Sequence, residues 1–164
     1  MDSSLYLLAE LDNDTQIKIK EIEEIIIKNG FSGKQTKNIP YHITLGNYKL
    51  EQENNLKELL KNIKQKYKEI EISFNSIGLF GLNVLFLNPD MNIKLMELYK
   101  FVNNISLEKY NNWTPHTTII IDEPEILLKV LPIIAEKCKN INGKIKGIGL
   151  YEFFPTKFID RCEL

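Results

Sequence analysis

Cysteine, histidine and net charge are all scarce in this chain. Two cysteines, Cys138 and Cys162, stand among 164 residues. They lack the close pairing of a zinc site or redox motif, and a disulfide framework needs more of them. Both are expected as free thiols in a reducing compartment. The formal net charge is −1, so the chain has no basic footprint for long nucleic acid, which is held through many phosphate contacts. A small or terminal nucleotide stays compatible with that balance. The first residues, MDSSLYLLAELDND, carry no basic segment, and their apolar run is too short and too interrupted by acid for a signal peptide or membrane span. A cytoplasmic location without membrane contact is the expectation.

What is present reads as one soluble domain over residues 1–164, with 43% hydrophobic and 26% charged residues, the balance of an ordinary globular core. Lys34 and Lys37 in one loop, and Lys144, Lys146 and Lys157 near the C-terminal end, are candidates for a local basic rim. In a lysine-rich chain each is more ordinarily a solvated surface residue.

Periodicity gives one series of elements twice. SLYLLAEL reads as a buried strand, and Asn13 with Gln16 as a capping-box-like helix start. A helix with Ile22, Ile25 and Ile26 on one face follows, ended by Asn29-Gly30. The segment from Ile39 to Leu45 alternates as a strand with Pro40 at its entry. ENNLKELLKNIKQKY is an amphipathic helix with Leu56, Leu59, Leu60 and Ile63 inward, and IEISFNSIGLF is a strand. LNVLFLN, NIKLMELYKFVNNI, TPHTTIII, PEILLKVLPIIAEKC and KIKGIGLYEF repeat that order, with Pro132 set to kink or split the fourth helix. TKFIDRCEL adds a last strand. The pseudo-repeat spans approximately 1–80 and 81–164. Helix crossovers mixed with direct strand-to-strand steps predict an α+β fold, with two pseudo-symmetric lobes of mostly antiparallel sheet and outer helices around a central cleft.

The chemistry rests on the histidines. There are only two, His42 and His116, and each has threonine two positions later, Thr44 and Thr118, although threonine fills seven of the 164 positions. Random placement would produce both coincidences on the order of twice in a thousand chains. Strand alternation sets His42 and Thr44 on one face with Ile43 and Leu45 on the other. His116 and Thr118 share a face opposite Thr117, Ile119 and Ile121. A lone strand histidine is ordinarily a surface or satisfied core residue, but two in matching places of a repeat converge on one cleft. Two histidines without Asp, Glu or Cys at ligand spacing are too few for a zinc site, so no metal or cofactor is expected.

These paired motifs, His42-Ile43-Thr44-Leu45 and His116-Thr117-Thr118-Ile119, resemble the 2H phosphoesterases, the family of the bacterial 2′-5′ RNA ligases and cyclic phosphodiesterases. The resemblance runs over nearly the whole chain. It implies a metal-independent phosphodiesterase acting on a 2′,3′-cyclic phosphate of a nucleotide or RNA end, with His42 and His116 catalytic and Thr44 and Thr118 binding phosphate. Cyclic-nucleotide members imply His116 as base and His42 as acid. The alternatives are a 2′-5′ RNA ligase or phosphodiesterase, which would favour a basic groove, and a non-catalytic nucleotide-binding module. Members nearest the RNA ligases carry a basic residue beyond the motif, where this chain has Gly46-Asn47 and Ile120-Ile121. Tyr41, Phe80, Trp113 and Tyr151 lie in or beside the motif strands as possible base platforms or core. Tyr151, with Lys157 nearby, is the candidate substrate contact, and a monomer binding a nucleotide or RNA terminus is the expected state.

Overall fold

The computed structural model describes residues 3–104 and 113–164. Its strands are β1 (Ser4–Leu11), β2 (His42–Tyr48), β3 (Ile70–Phe80), β4 (Val84–Pro89), β5 (Thr117–Ile121), β6 (Ile141–Phe153) and β7 (Lys157–Glu163). The helices are α1 (Asn13–Lys28), α2 (Glu53–Lys66), α3 (Ile93–Asn103) and α4 (Pro124–Ile134). Ile105, the last residue of the predicted third helix, lies outside the described residues.

Local chemistry sets the ends of these elements. The N-cap of α1 is Asp12, whose carboxylate accepts from the Thr15 N–H and hydroxyl. This corrects the Asn13/Gln16 capping box, because a carboxylate one residue earlier already takes the free helix N–H. The second predicted strand begins at His42 instead of Ile39, since Pro40 has no N–H to give a ladder. Pro132 stays inside α4, which ends two residues later and tightens into a 3-10 turn at Ala135–Lys137.

All seven strands form one antiparallel sheet in the order β2-β1-β6-β3-β4-β5, with β7 added to β6. The sequence pattern suggested two lobes, and β6 is where they join. Its start pairs with β3, while its remainder lies between β1 and β7. The β3–β6 register has two-fold form: Ile72 faces Gly143, flanked by Ile70 with Ile145 on one side and Phe74 with Ile141 on the other. The ladders of the two halves match as well. β1 lies between β2 and β6 as β4 lies between β5 and β3.

One face of the sheet carries Leu5, Leu7, Ala9, Ile43, Leu45, Leu85 and Leu87 into a core shared with Ile19, Ile22 and Ile26 of α1, Leu56, Leu60 and Ile63 of α2, Leu95 and Leu98 of α3, and Leu127 and Val130 of α4. The pairing of helices and strands crosses between halves. α1 packs on β5 and α3 on β2, so each half's first helix supports the other half's motif strand. The opposite face, with Tyr6, Leu8, Tyr151 and Phe153, forms a separate smaller cluster.

Candidate active site

Both motifs sit at a β-bulge in the same structural place. Leu8 pairs with Thr44 and Leu7 with Gly46, which leaves Leu45 as the extra residue. Phe86 pairs with Thr118 and Leu85 with Ile120, leaving Ile119. A bulge bends the strand and re-aims its side chains. Ile43 and Leu45 are buried and His42 and Thr44 half-buried, as alternation predicts. In β5 the bulge shifts the phase: Ile119 and Ile120 are both buried, and Ile121 turns to the cavity instead of the core. The bulged Leu45 carbonyl is met by the Asn103 side-chain amide of α3 at 2.9 Å.

The strands behind the motifs leave room for them. Leu8 lies between Thr44 and Gly149, and Phe86 between Thr118 and Gly78. A Cβ on Gly149 would strike Glu10 and Tyr151, and one on Gly78 would strike the Phe86 ring. Ile77-Gly78-Leu79 on β3 and Ile148-Gly149-Leu150 on β6 repeat one sequence motif, and in both the glycine allows close packing of a neighbouring side chain.

Each histidine ring is fixed through Nδ1. His42 donates to the Pro40 carbonyl at 2.7 Å and His116 to the Thr114 carbonyl at 2.8 Å. A carbonyl only accepts, so each Nδ1 carries a proton and each Nε2 is the nitrogen left for chemistry. His116 stands edge-on to Phe80, with ring centroids 4.8 Å apart, and also packs on Phe86. Burial pushes the His42 pKa down, outweighing its bond to Pro40, and the charge of a protonated His116 pushes the same way.

A cavity of about 640 Å³ is walled by His42, Thr44 and Thr118 together with Tyr6, Leu8 and Phe153. His116, Tyr151 and Lys157 are not among its lining residues. The Tyr151 ring is buried, and its hydroxyl donates to Glu10 at 2.7 Å. Glu10 is 4% exposed, lies opposite His42 in the ladder, and is also bound by Arg161 Nε at 2.6 Å. Lys157 reaches Glu152 at 3.9 Å. Of the candidate rim lysines, Lys34 pairs with Asp122 and Glu123, Lys37 with Glu23 and Lys144 with Glu69. Lys37 also borders the cavity, as does Lys20.

Several contacts that support the site were not visible in the sequence pattern. The Gln16 amide holds both the N–H and the carbonyl of Tyr41. Trp113 stacks on Tyr99 and donates to the Thr44 carbonyl. The Lys34 N–H and the Gln35 side chain attach the α1–β2 loop to Ile121. None belongs to a local motif, because each joins segments far apart in the chain.

Residues 11–84 match the family model described as LigT like Phosphoesterase, a stretch holding the first motif. Among solved structures, apo LigT from E. coli is 15% identical with a TM-score of 0.64, over 100% of this chain and 99% of that one. LigT complexed with NADP+ is 17% identical with a TM-score of 0.65, over 99% and 98%. A structure described only as a phosphoesterase is likewise 17% identical, with a TM-score of 0.63, over 99% of both chains. No curated protein matches the sequence significantly. The LigT-like phosphoesterase model thus matches the part of the chain that holds the first motif, and the fold is shared with E. coli LigT from end to end.

Proposed function

We propose that the protein hydrolyses a 2′,3′-cyclic phosphate on a nucleotide or RNA end with His42 and His116 as its acid–base pair, and without a metal. The observation that carries this reading is the matched tethering of the two rings, each with Nδ1 on the carbonyl two residues earlier and Nε2 without a hydrogen bond among the described residues. One imidazole takes a proton from water as the water oxygen bonds to phosphorus. The other gives a proton to the ribose oxygen as its bond to phosphorus breaks. Both roles are accessible to imidazole near neutral pH. Thr44 and Thr118, both on the cavity wall, are suited to donate their hydroxyls to the phosphoryl oxygens.

The lowered pKa of His42 favours its neutral, proton-accepting form. That supports His42 as base and His116 as acid, the reverse of the order implied by the cyclic-nucleotide members. A nucleotide-sized ligand is supported by the cavity volume and by E. coli LigT, which was crystallised with 3′-AMP and with ATP.

The test is incubation of chelator-treated protein with nucleoside 2′,3′-cyclic monophosphates, followed by phosphorus NMR. Formation of a single monophosphate isomer, lost in both His42→Ala and His116→Ala, is the expected result. Full turnover in either variant overturns the two-histidine reading.

A further inference from the structure

The two histidines are tethered alike, but the peptide groups that tether them differ. The Pro40 carbonyl that holds His42 Nδ1 shares its peptide group with the Tyr41 N–H, and that N–H donates to Gln16 Oε1 at 2.7 Å. The Thr114 carbonyl that holds His116 shares its peptide with the nitrogen of Pro115, which has no hydrogen to donate. Gln16 Nε2 donates to the Tyr41 carbonyl at 2.8 Å and to the Leu11 carbonyl at 3.1 Å. With two carbonyls on one end and an N–H on the other, the amide has only one orientation that satisfies its partners.

We propose that Gln16 is a positioning residue for His42 alone: by binding the N–H and the carbonyl of Tyr41, one in each of the two peptide groups flanking that residue, it holds the Pro40 carbonyl, and through it the imidazole, with Nε2 toward the cavity. The proposal rests on the reading of His42 as part of the acid–base pair. Gln16 Oε1, the Tyr41 N–H, the Pro40 carbonyl and the His42 Nδ1–H form one line of hydrogen bonds, in which each bond polarises the next. Removing the first acceptor weakens the Pro40 carbonyl as an acceptor and makes His42 less basic. Placing a carboxylate there does the opposite. His116, on a proline peptide, lies outside this line.

Other charges face the same region. They are Glu10 on β1 with Arg161 and Glu163 on β7, Glu23 and Lys20 on α1, Lys37 in the α1–β2 loop, and His116 itself. Tyr6, Tyr41 and Tyr151 add their hydroxyls to that set. Gln16→Met leaves the charge of each of these groups as it is, and Gln16→Glu adds one carboxylate to the set, one helical turn from Lys20.

The experiment uses Gln16→Met, which keeps the volume and loses the amide, and Gln16→Glu, which keeps the acceptor oxygen. The ring Cε1–H resonances of both histidines are followed by NMR against pH, with unfolding curves to establish that each variant is folded. The expected result is a downward shift of the His42 midpoint in Gln16→Met, an upward shift in Gln16→Glu, and an unmoved His116. With cyclic nucleotide as substrate, kcat of Gln16→Met falls about ten-fold while KM stays within about two-fold. Shifts in the same direction in both variants, equal movement of His116, or an unmoved His42 in folded Gln16→Met would each overturn the proposal. The NMR arm needs no turnover, so failure of the phosphodiesterase reading stays distinguishable from failure of this one.

Discussion

The indole N–H of Trp113 donates to the main-chain carbonyl of Thr44 at 3.1 Å, fastening the entry to the second motif strand onto the first. The indole is stacked on Tyr99 with ring centroids 3.9 Å apart, so its donor is aimed by a rigid partner on α3. Trp113→Phe keeps the stack and loses the donor. The expected cost is about 1 kcal/mol of stability, read by chemical denaturation, together with a fall in kcat larger than any change in KM.

His42→Ala and His116→Ala each remove one proton-transfer partner without disturbing the buried Ile43, Thr117 or Ile119. Each is expected to lower kcat by about 10²–10⁴-fold while the far-ultraviolet circular dichroism is retained. The wild-type rate should trace a bell against pH, and each variant should lose one limb of it.

The depressed pKa of His42 also makes stability depend on pH. The unfolded ring titrates near its ordinary 6.5 and the folded one lower, so between the two values the unfolded chain binds more protons. Stability from this group is therefore complete above about 6.5 and is lost as pH falls toward the folded value. Urea midpoints measured from pH 8 to 5 should fall more steeply for wild type than for His42→Ala.

Thr117 is 1% exposed and its hydroxyl has no partner among the described residues. An unmet buried hydroxyl costs roughly 1–3 kcal/mol, so Thr117→Val is expected to raise stability by about 1 kcal/mol in denaturant unfolding.

Gly149→Ala should do the reverse, since its methyl group would press on Glu10 and Tyr151 beneath the site. Crowding of this kind costs about 1–3 kcal/mol. A thermal melt of the variant checks the sign, and loss of the Glu10–Tyr151 contact should accompany it.

The legible part of this molecule was its local periodicity. Alternation around His42 placed Ile43 and Leu45 in the core, the paired Ile-Gly-Leu motifs marked equivalent strands, and the spacing of Leu56, Leu60 and Ile63 marked the inner face of α2. What the sequence concealed depends on register and on distant partners. The bulge at Ile119 inverts the face of Ile121, and no composition or period encodes a bulge. Asp12 displaced Asn13 as the cap because its carboxylate reaches the Thr15 N–H. Tyr151 looked like a base platform, yet the buried Glu10 on β1 takes its hydroxyl, a partner 141 positions away. The crossing of α1 onto β5 and α3 onto β2 is equally invisible to any window along the chain.

The seam strand β6 lies near the end of the chain, yet it pairs with β1 from the beginning and β3 from the middle. During synthesis, both of those strands therefore wait with one apolar edge unpaired until residues 141–153 leave the ribosome. Unpaired edges recruit other chains, so a transcript cut short before Ile141 would yield an aggregation-prone fragment instead of a half-active one.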